Sequence, residues 1–362
     1  MHFKLPMYKA PDFSQKRFEN APCIVTEQVS ITGVAPENYH ATTIFPEYFK
    51  LKKGWTLATE SRMDCVVVLK EDRLYVKEFR NLQIGDQVIL GRTEDGSEGI
   101  FVYSDGFIEE EEIKEGFAFR TGRSRETSYS RDYDKLYELL KYERDNGYVV
   151  WVLGPAAVFD SDSRKAFTSL INHGYVDAVL GGNALATHDL EGALFKTALG
   201  QDIYTQTLMV NGHYNHIDVI NKARSCGSIE SFIKEYNLND GIIHACIMNK
   251  IPFVLAGSIR DDGPLPPVYA NVYEAQDEMR KHIRKATTVI GLATQLHSIA
   301  AGNMTPSFTE TKEGIRPVFL YCVDVSEFAV NKLRDRGSLA VTSIVTNIQD
   351  FLVNLERNLN KK

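Results

Sequence analysis

The chain of 362 residues carries a formal net charge of -7, with 25% charged and 43% hydrophobic residues. Its length exceeds that of most single domains, so we expect two domains of a globular protein. The negative charge disfavours nonspecific nucleic-acid binding, and no apolar run is long enough to span a bilayer. The five cysteines are scattered without a CxxC pair, which predicts neither a zinc site nor a disulfide framework and fits a reducing cytoplasm best.

The first third of the chain predicts a leader followed by a small β domain. We interpret residues 1–20 as a polar leader, because they lack the apolar core of a signal peptide. Over residues 21–119, short alternating runs are separated by Gly and Asp turns, which is typical of a small β-barrel or sandwich. The predicted strands are 65–69, 74–76, 87–90 and 99–103.

Residues 120–131 differ in composition from both flanking regions. They are rich in Arg, Ser, Thr and Gly, which predicts a linker or a mobile loop. A second interpretation is an anion-binding loop in which Arg123, Arg125 and Arg131 reach a phosphate or a carboxylate. The composition of the segment allows both interpretations.

The remaining residues, 132–362, alternate between helical and strand patterns. Apolar residues over 133–143 recur with helical spacing, and apolar runs of strand length follow. Such alternation favours a doubly wound α/β domain with a parallel sheet. The predicted strands are 148–153, 176–180, 253–255, 288–290 and 318–323, and the predicted helices are 133–143, 163–173, 273–285 and 327–336.

Glycine or polar residues follow each predicted strand of this domain, at the sheet edge where ligands bind in α/β folds. The most distinctive stretch is 251–267, where a strand breaks at Gly257 into a loop that carries Arg260, Asp261 and Asp262. One cation beside two carboxylates suggests a binding site, although a salt-bridged structural turn would use the same residues. The other polar strand ends are 154–155, 181–184, 294–297 and Asp324.

Three of these strand ends suggest a cofactor. Gly181 and Gly182 permit close backbone approach, and the following helix offers free N–H groups to an anion; a tight turn is the alternative. An acidic residue at a strand end, such as Asp324, can accept hydrogen bonds from the ribose hydroxyls of a cofactor. The alternative is that Asp324 caps a helix or a turn. A neutral His297 would hydrogen-bond a cofactor or transfer a proton. The alternative is a structural histidine that caps a helix or packs against its neighbours. The GxGxxG motif is absent.

We predict no metal site and no catalytic nucleophile. His213 and His216 are three residues apart, but the sequence places no third ligand near them. His188 lies on the helix after the glycine pair, together with Asp189 and Glu191. No GxSxG motif and no Cys–His pairing indicates a nucleophile.

Seven stretches of the chain resemble the archaeal-type ornithine cyclodeaminases, also known as LOR/SDH proteins. The same module forms the C-terminal part of cyanobacterial arginine dihydrolase/ornithine cyclodeaminase enzymes. The resemblance implies a Rossmann-like NAD-binding domain related to deoxyhypusine synthase, preceded by a β-barrel-like domain, and also implies a multimer. It covers nearly everything after residue 20 and is carried by GVAPENYHATTIFPEYFKL at 33–51, RMDCVVVL at 62–69, GYVDAVLGGNALATHDLEGALF at 174–195, GHYNHIDVIN at 212–221, VLAGSIRDDGPLPPVYANVYEAQ at 254–276, ATQLHSIAAGNMTP at 293–306 and DRGSLAVTSIVTNIQDFL at 335–352.

The resemblance also implies which residues contact NAD. They are Asn183, Ala184, Asp262, Thr294, Gln295, Leu296, His297, Asp324, Asn347 and Ile348. The sequence departs from the family pattern in places: Asn347 stands where an aspartate is expected, and residues 195–197 replace a Gly-Thr pair. Loop changes beside a cofactor alter substrate choice more readily than cofactor binding, so NAD is better supported than ornithine.

The implied reaction converts ornithine to proline and ammonia. NAD removes hydride from Cα, the δ-amine closes the ring as ammonia leaves, and the hydride returns to the cyclic imine. We expect Asp261 and Asp262 to serve the substrate amines and Arg260 to meet the α-carboxylate. We also expect Arg123 or Arg125 to lie behind Arg260 and His297 to transfer protons.

Two other functions fit the same residues. The first is another NAD-dependent reaction on an amino acid or imine, such as an opine-type dehydrogenase or reductase, with net turnover of NADH. The second is a noncatalytic NAD-binding regulatory protein. The charged loop that carries Arg260, Asp261 and Asp262 disfavours the second, because cofactor binding alone does not require so many charges.

Overall fold

The computed structural model describes residues 3–107, 128–261, 263–312, 314–326 and 340–360. The predicted site residues Asp262, Arg123 and Arg125 and the predicted helix 327–336 lie outside these ranges. Of the predicted linker 120–131, only the last four residues are described, and they begin helix α2. Within the described ranges, no helix is long and apolar enough to cross a membrane.

The N-terminal region forms two antiparallel sheets, which confirms the predicted small β domain. Between two of its strands, Glu71 and Asp72 have φ angles of 49° and 59°, as the central residues of a type I′ hairpin do. The sheet ordered β1-β6-β4-β5 contains β1 (Val25–Gln28), β4 (Val66–Lys70), β5 (Arg73–Lys77) and β6 (Gln87–Leu90), and the sheet ordered β3-β2-β7 contains β2 (Glu47–Leu51), β3 (Gly54–Leu57) and β7 (Ile100–Val102).

Aromatic residues from the first twenty positions pack against these sheets. Phe18, in the short helix α1 (Lys16–Glu19), is 1% exposed, and the ring of Phe13 stacks on Trp55 with centroids 4.9 Å apart. Lys50 Nζ donates to the carbonyl of Phe18 at 2.9 Å. The segment that we predicted as a polar leader therefore carries apolar anchors, which its mainly polar composition concealed.

The C-terminal region is built on one parallel sheet, ordered β12-β9-β8-β13-β16-β17. Numbered along the chain, this is the order 3-2-1-4-5-6 of dinucleotide-binding Rossmann folds, which confirms the predicted doubly wound sheet. The strands are mostly apolar because helices cover both faces of the sheet. They are β8 (Val149–Leu153), β9 (Ala178–Gly182), β12 (Phe253–Ala256), β13 (Thr288–Leu292), β16 (Phe319–Asp324) and β17 (Ala340–Val345).

Short elements and helices complete this region. The short antiparallel pairs are β10 (Thr197–Ala198) with β11 (Gln201–Asp202) and β14 (Phe308–Thr311) with β15 (Gly314–Pro317). The helices are α2 (Ser128–Asn146), α3 (Ser161–Asn172), α4 (Asn183–Phe195), α5 (Asn215–Cys226), α6 (Ile229–Glu235), α7 (Ile242–Met248), α8 (Val272–Ile283), α9 (Gln295–Met304) and α10 (Ile348–Leu359).

Among the boundaries that differ from prediction, two have a clear local cause. Helix α3 begins two residues early, because the Asp160 carboxylate accepts from Asp162 N at 3.0 Å and from Ser163 N at 2.8 Å. Strand β9 continues through Gly181 and Gly182, because they pair in register with the end of β12. The glycines that we predicted to follow the strand therefore end it, and α4 begins directly after them.

Ion pairs join the β domain to helix α8. Arg62 and Arg280 both contact Glu78, at 2.6 and 2.8 Å, and Arg80 contacts Asp277 at 2.8 Å. Burial would raise the pKa of Glu78, but the two guanidinium groups outweigh it and lower the pKa to about 2. The contact with α8 therefore holds the β domain beside the parallel sheet through charges that persist over the physiological pH range.

Candidate active site and cofactor crevice

A crevice of about 610 Å³ opens at the carboxyl ends of the parallel strands, beside the point where the strand order reverses between β8 and β13. In open α/β sheets this is where ligands bind. The residues that line it follow β8, β13, β16 and β17, with one further segment after β11. They are Ala156, Phe159, Asp160, Ser161, Asp162, Ile203, Tyr204, Gln206, Ala293, Asp324, Val325, Asn347, Ile348 and Gln349.

The two strands at the reversal point approach each other closely beyond their ends. A Cβ atom on Gly154 would lie 1.8 Å from the carbonyl oxygen of Ala293, so only glycine fits there. Ala293 itself has a φ of 54°, a left-handed conformation that is unusual for a residue with a side chain. Strain of this kind is concentrated at functional sites, and here it directs the chain from β13 into α9.

Asp324, Asn347 and Ile348, three of the predicted cofactor residues, line this crevice. Asp324 ends β16, and its Oδ1 accepts from Ser326 N at 2.9 Å. Asn347 caps α10, because its Oδ1 accepts from Gln349 N at 2.8 Å. Both oxygens are thus engaged locally, and among the described residues no bond takes up Asp324 Oδ2 or Asn347 Nδ2, so we expect these atoms to face a ligand.

The predicted loop residue Asp261 contacts the start of α4. Its Oδ2 accepts from Ser258 N at 2.7 Å, which closes the turn, and its Oδ1 accepts from Asn183 Nδ2 at 3.4 Å. Asn183 Oδ1 in turn accepts from Leu265 N at 3.0 Å. Asn183 therefore ties the loop to the helix, while Arg260 is exposed and forms no ion pair with another described residue.

The starts of α4 and α9 adjoin one another and are open to an anion. Neither Gly182 nor Thr294, the residues before these helices, caps with its side chain, so within the described part of the chain the first N–H groups remain available. A Cβ on Gly182 would lie 3.0 Å from His297 Cε1, so this histidine covers the glycine. Burial lowers the pKa of His297, which keeps its imidazole neutral at pH 7.

The other predicted cofactor residues at the starts of α4 and α9 differ in exposure. Ala184 is half-buried in the first turn of α4, Gln295 is exposed, and Leu296 is 74% exposed. Thr294 follows directly on Ala293, which lines the crevice, so the residues at the starts of α4 and α9 continue the wall of the crevice. The free N–H groups and the Asp324 carboxylate match the diphosphate and ribose of a dinucleotide.

Sequence reasoning missed part of the crevice. Asp160 and Ser161 lie where β8 leads into α3, and the segment with Ile203 and Tyr204 approaches from beyond α4. The Asp-x-x-Ser pattern of 160–163 is a helix-capping signal that could have been recognised. Among the described residues, no group of three or more His, Cys, Asp or Glu side chains is arranged to hold a metal ion.

Comparison with known proteins agrees with this architecture. Residues 135–355 match the family model of the arginine dihydrolase ArgZ-like C-terminal Rossmann fold. An ornithine cyclodeaminase from Methanopyrus kandleri is 37% identical over 92% of this chain and 78% of its own length. A conserved LOR/SDH protein from Methanococcus maripaludis S2 superposes with a TM-score of 0.81 at 33% identity, covering 93% of this chain and 98% of its own.

A further solved structure contains small molecules. It is the ternary complex of AgrE with ornithine and NAD+, which matches with a TM-score of 0.59 at 32% identity. The match covers 94% of this chain and 46% of that one. AgrE is a bifunctional arginine dihydrolase/ornithine cyclodeaminase from Nostoc sp..

Proposed function

The chain belongs to the ornithine cyclodeaminase family with the ArgZ-like C-terminal Rossmann fold, and from this premise we propose that it is an NAD-dependent ornithine cyclodeaminase. The reaction converts ornithine to proline and ammonia, which makes the protein a lyase of amino-acid metabolism that serves proline biosynthesis. The observation that carries the proposal is the similarity, over nine tenths of the chain, to AgrE in complex with ornithine and NAD+.

The crevice suits NAD at both of its polar ends. We assign Asp324 to a ribose diol and the free N–H groups at the starts of α4 and α9 to the diphosphate. Two observations support this assignment: among the described residues only Oδ1 of Asp324 is engaged, and the helix starts of α4 and α9 have no side-chain cap. The full proposed cofactor set is Asn183, Ala184, Asp262, Thr294, Gln295, Leu296, His297, Asp324, Asn347 and Ile348.

The charged loop and His297 are proposed to handle the substrate. When bound, NAD accepts the hydride of the ornithine Cα and returns it after ring closure. Asp261 and Asp262 would hold the substrate amines, and Asp261 Oδ1 is suited to this because its bond from Asn183 is long, at 3.4 Å. Arg260 would meet the α-carboxylate, since its exposed guanidinium is uncommitted among the described residues. His297 would move protons as a neutral imidazole.

The test is a reaction with ornithine and a catalytic amount of NAD, followed by NMR. Proline and ammonia without accumulation of NADH are the expected result. Stoichiometric NADH would instead indicate an amino-acid or imine dehydrogenase. NAD binding without turnover of any diamino acid would indicate a noncatalytic regulatory protein.

We also propose that the protein is a homo-oligomer. Large apolar side chains are exposed on the segment 199–217, which reaches the crevice at Tyr204. Contiguous exposed apolar residues of this kind mark interaction surfaces, and a second copy of the chain is the proposed occupant. Sedimentation analysis of the wild type and V210E tests this, with dissociation of the variant expected. The exposed residues are Leu199, Tyr204, Leu208, Met209, Val210, Tyr214 and Ile217.

A cytoplasmic location is the last part of the proposal. All five cysteines are free, and three of them are buried as thiols. Burial raises the pKa of the Cys65 thiol to about 11, so it stays protonated and unreactive. Free thiols are typical of reducing compartments. Fractionation of the native cells with detection of the protein tests the location.

A further inference from the structure

A buried pair of side chains on α4, His188 and Glu191, lies outside the predicted site. His188 Nδ1 is 2.8 Å from Glu191 Oε2, and the two residues are 8% and 0% exposed. Glu191 also accepts from Thr197 Oγ1 at 2.8 Å and from the N–H groups of Gly200 and Leu199 at 3.1 and 3.2 Å. Both carboxylate oxygens are thus fully committed to fixed donors.

These donors determine the ionisation of Glu191. Burial would raise its pKa, but the bonds from His188, Thr197 and the Gly200 N–H outweigh burial and lower it. A carboxylate accepts and never donates, so the proton of a neutral His188 must lie on Nδ1. Nε2 then carries a free lone pair, the arrangement that equips a histidine to accept a proton.

Contacts place this pair against the crevice. The ring of His188 packs edge-on against Phe159, with centroids 5.6 Å apart, and Phe159 lines the crevice. Glu191 holds the turn at Leu199 and Gly200, from which the chain continues to Tyr204 in the crevice wall. The pair of His188 and Glu191 therefore contacts two segments that both reach the crevice.

A second histidine adjoins the pair. The ring centroid of His216 lies 5.9 Å from that of His188, and its Nδ1 is buried without a hydrogen-bond partner in the described part of the chain. Burial is the largest cause that lowers the pKa of His216, and it favours the neutral imidazole. A buried unpaired nitrogen beside a free Nε2 marks a place where a polar ligand atom or water would be accommodated.

The neighbouring residue Asp189 shows what a purely structural group looks like on this helix. Its Oδ1 is 2.9 Å from Arg164 Nε, and its Oδ2 accepts from Ile243 N at 2.8 Å. Arginine does not give up its proton at physiological pH, so this pair is fixed in charge. Glu191 instead faces the one common side chain that exchanges protons near neutral pH.

We propose that His188, oriented by Glu191, transfers protons between the two amino groups of ornithine during cyclisation. This inference rests on the proposed function. Once the Cα hydride has been removed and the α-nitrogen is an iminium, Nε2 takes a proton from the δ-ammonium. The freed amine attacks Cα to form the ring C–N bond, and the C=N electron pair moves to the α-nitrogen. The imidazolium protonates the α-nitrogen, and Nε2 then takes the extra proton of the ring nitrogen. Ammonia leaves with the electron pair of the breaking C–N bond while the lone pair of the ring nitrogen forms the C=N bond of the cyclic imine. His188 passes its last proton to the ammonia, which departs as ammonium, so His188 is regenerated and protons and electrons balance.

The test uses H188A and H188Q, with H173A as the matched control because His173 is an exposed histidine at the C-cap of α3. We expect both His188 variants to lose about 100-fold or more in kcat, a typical contribution of acid–base catalysis, while NAD affinity and melting temperature stay near wild type. Added imidazole should restore part of the H188A rate. H173A should behave as the wild type, and H188Q provides the assay if H188A does not fold.

The role of Glu191 is tested through the tautomer of His188. Nitrogen NMR of the ligand-free protein should show the proton on Nδ1 in the wild type and a mixture of tautomers in E191Q. The kcat of E191Q should fall while its KM for ornithine stays within about twofold, because the variant disturbs orientation rather than binding.

Two results separate the possible failures. An active wild type with an equally active H188A, or a folded H188A whose lost rate imidazole does not restore, would overturn this inference alone. An NAD-binding wild type that makes no proline from ornithine would overturn the proposed function and this inference with it.

Discussion

The two ends of strands β8 and β13 differ in how their polar groups are used. At the amino ends, Glu143 is fully buried and accepts from Thr287 Oγ1 at 2.7 Å and from Thr288 Oγ1 at 2.9 Å. Arg316, which is 2% exposed, donates to both oxygens of the same carboxylate. At the carboxyl ends of the sheet, the starts of α4 and α9 lack side-chain caps, and Arg260 is exposed without an ion pair to the described residues.

The contrast separates stability from function within one sheet. The five residues of each strand put about 17 Å between the two ends, so a ligand at one end does not touch the other. At the amino ends, polar groups bond one another and hold α2 and β15 to the sheet. At the carboxyl ends, groups are left for a ligand to bond. Substitutions at the two ends should therefore affect different measurements.

The largest effect on stability is expected from E143A, at the amino ends. The substitution leaves Arg316 as a buried charge without its carboxylate, which should lower the free energy of unfolding by about 3–5 kcal/mol. Urea denaturation measures this. NAD affinity per folded molecule should stay at the wild-type value, and a large loss of that affinity would show that the two ends are coupled.

A smaller loss of stability, with a loss of function, is expected from G154A at the carboxyl ends. The added methyl group would collide with the Ala293 carbonyl, so β13 and α9 must shift. We expect a loss of about 1–3 kcal/mol in unfolding free energy and at least a tenfold weaker NAD affinity, measured by calorimetry. G227A is the control: its left-handed position after α5 has open space around it, so it should destabilise the protein without weakening NAD.

The carboxyl ends were the more predictable of the two from sequence. The end of a strand can be recognised from the sequence around it, because an apolar run stops at glycine or a polar residue, as at Gly154, Gly181 and Asp324. The Glu143–Arg316 pair spans 173 positions, and in the sequence Glu143 is only the last residue of the predicted helix 133–143. Periodicity describes one segment at a time, whereas such pairs and the position of the Tyr204 segment depend on strand order and packing.

The pH dependence of the unfolding free energy should contain a measurable contribution from His297, which lies at the carboxyl ends. The pKa of His297 is lowered in the folded protein. Below about pH 6.5 its imidazole is therefore protonated in the unfolded chain but stays neutral in the folded chain. Stability should therefore fall as the pH drops from 6.5, by at most about 1.4 kcal/mol per pH unit for this residue. H297N should show a shallower slope in urea denaturation between pH 5 and pH 7.

Other groups with lowered pKa values set the controls for that measurement. His216 and His282 also resist protonation through burial, so a residual slope should remain in H297N. Glu78 contributes stability that is complete above its unfolded pKa and is lost only as the pH falls toward about 2. An H297N slope equal to that of the wild type would show that His297 is readily protonated in the folded protein.

The smallest effect on stability, and the sharpest separation of the two ends, is expected from R260A. The exposed side chain has no ion pair with the described residues, so its removal should change the unfolding free energy by no more than about 0.5 kcal/mol. Its proposed bond to the substrate carboxylate is charge-assisted, so KM for ornithine should rise about tenfold or more. K281A, which removes an exposed cation of α8 paired with Glu278, should leave both quantities unchanged. If R260A has the wild-type KM, another cation must bind the substrate carboxylate. Arg123 and Arg125 are the candidates that the sequence provides.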